Sequence, residues 1–214
     1  MKNLVLDCER MKYPHTGLYH YCLQLGTALQ QQVNKEKERL SFYVRPGHQH
    51  AFGKAADYIL QNTTDKFLMP VKGYDVWHTT YQATNYFPFR KKVKVVFTVH
   101  DLNVLHENKM GPTRLKKELK KIQKRLDRAD HIIAISAFTL AELKQHLNIG
   151  ETPATVIYNG CNILASDMFL PPQQRVTGDF FIYARHNKSQ EKFSCIGLPA
   201  RRKQQEVGDL RCNG

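Results

Sequence analysis

Apolar positions along this 214-residue chain switch repeatedly between two rhythms. Short continuous apolar runs of strand length alternate with stretches whose apolar residues recur every three or four positions. Leu4–Leu6 opens the series, and after a polar loop holding Pro14 and Gly17, Leu18, Cys22, Leu25 and Leu29 recur at helical spacing. Leu40–Val44, Tyr74–His78 and Val93–Val99 follow as strands. Leu115, Leu119, Ile122 and Leu126 form one apolar stripe on a helix expected over Thr113–Arg128. His131–Ile135 reads as a short buried strand, and Ser136 is placed to cap a helix carrying Phe138, Leu140, Leu143 and Leu147. Thr155–Tyr158 is a further strand, closed by the turn pair Asn159-Gly160. Alternating strands and helices predict an α/β, Rossmann-like parallel sheet with crossover helices.

The pattern also divides the chain. Residues 1–162 hold the regular alternation, residues 163–178 with Pro171-Pro172 read as a linker, and residues 179–186 begin a new strand. Residues 187–214 show neither period and carry six basic side chains against three acidic ones, which fits a disordered tail.

Composition narrows the classes. The chain is 42% hydrophobic and 24% charged, as a soluble globular protein would be. Its longest apolar stretches, Lys94–Val99 and His131–Ile135, fall far short of the ~18 residues of a membrane span. The N-terminal apolar run ends at Asp7, too early for a secretory signal. Five scattered cysteines form no CxxC pair, which fits reduced thiols in cytoplasm, and neither they nor the ten histidines suggest a metal site. The formal charge of +13 calls for an anionic partner: phosphate, a membrane surface or nucleic acid.

Four features carry candidate chemistry. The loop Tyr13–Gly17 precedes the first helix, where Gly17 lets backbone approach a phosphate and Thr16 lies at the helix start. Without GxGxxG or a Walker motif, dinucleotide and P-loop readings are weak, and the glycine is also compatible with a purely structural role. The run VFTVHDLNVLHE delivers His100-Asp101 to the end of a strand, where an imidazole and a carboxylate suit proton handling or simple backbone capping. Trp77, His78, Thr79, Thr80, Tyr81, Gln82 and Asn85 suit a sugar face and its hydroxyls, and equally an ordinary surface loop. Finally, the helix Thr113–Arg128 carries Lys116, Lys117, Lys120, Lys121, Lys124, Arg125 and Arg128 opposite its apolar stripe. Such a face suits an anionic lipid surface, or is merely solvated. Nucleic-acid binding is disfavoured, since no RNP motif, zinc finger or helix-turn-helix pairing is present.

In order, TGLYHYCLQLGTAL, VFTVHDL, ADHIIAISAFTLAEL and VIYNGCN resemble the N-terminal domain of retaining GT-B glycosyltransferases. The group is glycosyltransferase family 4, also called glycosyl transferase group 1, which includes bacterial lipopolysaccharide and capsule mannosyl- and glucosyltransferases. The resemblance implies transfer of a hexose from a nucleotide sugar to a glycan or lipid-linked acceptor, without a metal or other cofactor. It implies that His100 contacts the transferred sugar, that Asp101 orients it, and that Gly17 and Thr16 lie near the donor diphosphate. The resemblance further implies that Ser136 caps the helix facing the cleft and that Asn159 closes the domain, and the acceptor is expected to meet Trp77, His78 and Tyr81. The lysine-rich helix is then expected to dock the protein at the inner face of the cytoplasmic membrane.

Against this pattern the chain is expected to be C-terminally truncated, because residues 179–214 leave no room for the glutamates that grip the nucleotide sugar in such enzymes. Codons for Lys188–Gly214 can be chosen so that a one-nucleotide shift reads KAKKNFHVLVCLPGENNKKLVISGATG, which restores the family's KN step and a following strand. The tail is therefore expected to be an out-of-frame product and the chain weakly active or inactive. The alternative is a basic domain that binds anionic lipid or polysaccharide without catalysis.

Overall fold

A computed structural model describes residues 1–90, 92–106 and 111–160. The expected linker (163–178), the strand over 179–186 and the tail (187–214) lie outside the described residues.

Seven parallel strands form one sheet in the order β3-β2-β1-β4-β5-β6-β7. They are β1 (Lys2–Asp7), β2 (Glu38–Val44), β3 (Asp57–Leu60), β4 (Val76–Thr79), β5 (Lys94–Val99), β6 (His131–Ala134) and β7 (Ala154–Val156). Three α-helices cross between them: α1 (Gly17–Gln32), α2 (Pro112–Leu126) and α3 (Ala137–His146). This is the α/β, Rossmann-like arrangement that the alternating pattern predicts.

Successive residues of a strand face opposite sides of the sheet, and the central strands are apolar on both. On β1, Leu6 joins one core with Cys22, Phe42, Val44 and Phe52, whereas Val5 joins the other with Trp77, Val95, Phe97, Ile122 and Leu143. Helix α1 thus covers one face, and α2 and α3 cover the other. Gly26 sets the distance of α1: a Cβ there would stand 2.4 Å from Phe52 Cε1, and Phe52 stacks on Phe42 at 3.9 Å between ring centroids.

Local signals fix the helix ends. The Thr16 hydroxyl accepts from the Tyr19 N–H at 3.3 Å, and Ser136 Oγ accepts from the Thr139 N–H at 3.1 Å. Pro112, whose missing N–H costs nothing in a first turn, opens α2.

Strand β3 did not show in the apolar pattern. It has four residues at the sheet edge, none of them fully buried. A two-pronged Arg39–Asp57 pair, at 2.7 and 2.9 Å, ties it to β2. The strand expected over Thr155–Tyr158 begins one residue earlier and ends at Val156, leaving Ile157 and Tyr158 exposed.

Candidate functional site

In an open sheet of this kind the strand order reverses between β1 and β4, and the connections that leave these two strands diverge. A crevice forms at their carboxyl ends, where ligands bind in such folds. Its walls are the loop Cys8–Thr16 after β1, the loop from Thr80 after β4, the loop from His100 after β5, and Ile135-Ser136 after β6.

His100 is held from several sides. Its Nε2 lies 2.8 Å from the Thr80 carbonyl, which only accepts, so Nε2 carries the proton and Nδ1 carries the lone pair. The Thr80 hydroxyl donates in turn to the Asp7 carbonyl at 2.7 Å. Tyr21 of α1 meets the imidazole edge-on, 4.7 Å between centroids. The His100 carbonyl accepts from Thr139 Oγ1 at 3.0 Å, and the His100 N–H donates to Gln82 Oε1 at 3.2 Å. Burial pushes the imidazole below its ordinary pKa, against smaller opposing effects from the Thr80 carbonyl and Asp101. The ring is therefore neutral near pH 7.

The Thr80 carbonyl holds the ring, and Asp101, expected to help orient the histidine, makes no hydrogen bond to the imidazole. Asp101 Oδ1 instead accepts from Gln82 Nε2 at 3.2 Å and from the Asn103 N–H at 3.0 Å, closing the loop after β5. Gln82 thereby binds both the residue expected to meet the sugar and its neighbour.

Trp77 also departs from expectation. It is fully buried on β4, packed edge-on against Tyr43 at 5.3 Å and Tyr74 at 6.2 Å, and it is a core residue with no acceptor-facing surface. Strand alternation buried it because both faces of this parallel sheet are covered. His78, next along β4, pairs through Nε2 with Thr98 Oγ1 at 2.8 Å. Burial, with His100 adding to it, pushes its pKa down to about 4. Tyr81 is the acceptor candidate that reaches open space. With Gln82, Asn85, Asp101 and Asn103 it lines a cleft of about 480 Å³ beside α2. Its ring also lies 4.4 Å from the Arg10 guanidinium, which Tyr13 flanks at 4.8 Å. Arg10 was not singled out from the sequence, since a lone arginine in a polar loop gives no periodic signal.

Gly17 is exposed at the start of α1, and a Cβ there would meet nothing within 4 Å. No packing demand explains the glycine. Asn159 is exposed on the chain leaving β7.

On α2, Lys116, Lys117, Lys120, Lys121 and Lys124 are exposed. Arg125 and Arg128, counted in the same basic face, are not part of it. Arg125 is 7% exposed and donates to the carbonyls of Lys121 and Thr84. Arg128 pairs with Asp130 at 2.9 Å and donates to the carbonyls of Arg90 and Val93. Arg125 stands three residues after Ile122, at the edge of the apolar stripe, and that spacing was the available signal.

Asp7, at the end of β1, is buried, and its Oδ1 accepts from the Glu9 N–H at 2.9 Å. Burial raises its pKa to about 8, so it holds its proton near neutrality. Glu9 is also buried and pairs with Lys12. Among the described residues no group of three or more His, Cys, Asp or Glu is placed to hold a metal ion, and no helix is long and apolar enough to cross a membrane.

The switch-point crevice and its half-buried, neutral histidine place the chain among α/β proteins whose sites lie at the carboxyl edge of a parallel sheet. The Glycosyltransferase Family 4 domain matches residues 11–163, well over half of the chain, and the chain belongs to that family. It carries the N-terminal, Rossmann-like domain of a GT-B glycosyltransferase, and its substrates are accordingly a nucleotide sugar and an acceptor. No curated protein matches it in sequence. Among solved structures it is similar to a sucrose-phosphate synthase of Thermosynechococcus elongatus, with 17% identity and a TM-score of 0.46, over 75% of this chain and 91% of that one.

Proposed function

We propose that the domain holds a glycan or lipid-linked acceptor in the cleft beside α2 while His100 meets the hexose, mannose or glucose, as it leaves the nucleotide sugar. The observation that carries this reading is the fixed tautomer of His100. With Nε2–H committed to the Thr80 carbonyl, the ring offers a neutral, oriented group at the crevice. A neutral imidazole of set geometry supplies a polar contact to a reacting sugar without reorganising during the reaction.

The open N-terminus of α1 at Thr16 and Gly17 favours the donor diphosphate, because unpaired N–H groups and the helix dipole stabilise anions there. Ser136 and Asn159 frame the opposite side of the crevice. The exposed lysines of α2 favour an anionic membrane surface, in the manner of a peripheral protein at the inner face of the cytoplasmic membrane. Lys124 stands 4.7 Å over the half-exposed ring of Phe89, adding an apolar element to that face. The acceptor is then a lipopolysaccharide or capsule glycan.

Hexose transfer from nucleotide sugars to lipid-linked glycans tests the proposal. A chain read through the shifted frame after His186 is expected to show turnover. His100→Ala then lowers the rate about a hundredfold. Undiminished transfer in that variant would remove His100 from the reaction. Absence of turnover in the restored chain, with retention on anionic vesicles, favours the binding-domain alternative.

A further inference from the structure

The cleft beside α2 has two unlike walls. One presents neutral hydrogen-bonding groups, Tyr81, Asn85 and Asn103, suited to sugar hydroxyls, over the buried and internally bonded Gln82 amide. The other, formed by α2, presents Arg114, Lys121 and Arg125 with the single carboxylate of Glu118. Of these cations, Lys121 is matched by Glu118 at 2.7 Å, and the carboxylate of Asp101 is engaged by Gln82 and Asn103.

Arg125 differs from its neighbours. It is 7% exposed, its two terminal nitrogens go to backbone carbonyls, and its Nε has no hydrogen-bond partner among the described residues. No carboxylate among those residues lies within ion-pair distance of it. A buried guanidinium that meets only carbonyl dipoles lacks the counter-charge that usually offsets its desolvation. Guanidinium groups are matched best by phosphate or carboxylate oxygens.

We infer that this cleft takes an acceptor sugar bearing an anionic group, a phosphate or a carboxylate, with the charge against Arg125 and Arg114 and the hydroxyls against the amide wall. The inference rests on the acceptor reading of the cleft given above. Neutral glycans fill the amide wall but leave Arg125 with only the longer-range attraction of Glu118 and no ion-pair partner among the described residues.

The test uses the 15N-labelled chain at constant ionic strength and follows the Arg125 Nε–H resonance with the Gln82 and Asn103 amides. Glucose 6-phosphate, glucuronate and glucose are titrated in turn. The phosphate or the carboxylate sugar, or both, is expected to shift these resonances at concentrations at least about tenfold lower than glucose, a factor of ten being 1.4 kcal/mol. Which one does so identifies the anion. Arg114→Ala and Lys121→Ala, both at exposed positions, are expected to weaken the anionic sugars severalfold and to leave glucose unchanged. Equal response to glucose and its phosphate overturns the anionic preference while the acceptor cleft stands. No response of the cleft to any of the three sugars overturns the acceptor reading itself. Displacement of the sugar phosphate by uridine diphosphate assigns the cleft to the donor and overturns the inference by another route.

Discussion

Asp7→Asn isolates the energetic consequence of a buried carboxyl beneath the crevice. In the unfolded chain an aspartate titrates near 3.9, whereas burial raises Asp7 to about 8 in the native state. Between these values the folded protein holds a proton that the unfolded chain releases. Asp7 therefore destabilises the fold progressively as pH rises through that window. At about 1.4 kcal/mol for each pH step of one, the cost reaches on the order of 4 kcal/mol at pH 7, against about 1.5 kcal/mol at pH 5. Asparagine can still accept from the Glu9 N–H through Oδ1, and it never ionises. Urea denaturation of both proteins at pH 5, 6, 7 and 8 should give a stability difference that grows by roughly 3 kcal/mol in favour of the variant between pH 5 and 7. Taking the difference removes titrations common to both proteins. A difference that stays constant across the range would refute the argument, since Asp7 would then already be ionised at pH 5.

Gly26→Ala is expected to lower stability by about 1–3 kcal/mol, although alanine favours a helix by roughly 1 kcal/mol. The new methyl would enter the Phe52 ring, and a rise in thermal midpoint would show that α1 can withdraw freely. The His78 imidazole should stay neutral as pH falls from 8 to 6 and protonate near pH 4, while the His100 ring, lowered by burial, should protonate below the ordinary imidazole range. Titration of either ring above pH 6.5 in NMR spectra would contradict the burial that lowers both.

The layered fold was legible because every central strand of a parallel sheet must be apolar on both faces, so Leu4–Leu6, Val93–Val99 and His131–Ile135 stand out as runs. Strand β3 was not, since an edge strand needs only one side of its backbone paired and little burial. At the site, periodicity brought His100 to a strand end. It did not reveal what holds the ring, because a backbone carbonyl such as that of Thr80 is the same in every residue and leaves no mark in a sequence. Trp77 misled for a related reason. An aromatic near the end of a strand faces either the crevice or the core, and only the covering of both sheet faces decides which. Arg125 and Arg128 were read as surface charges because residue type outweighed position, although long side chains can carry a guanidinium back to loop carbonyls.

Arg125 has a mechanical consequence as well. It grips the Thr84 carbonyl from α2, and two residues earlier in the same loop Gln82 holds the His100 N–H. The lysine-bearing helix and the His100 backbone are therefore joined through the Gln82–Thr84 segment by one hydrogen bond at each end. Displacing α2 breaks one of these two hydrogen bonds or carries the Gln82–Thr84 loop, and the His100 backbone it holds, along with it.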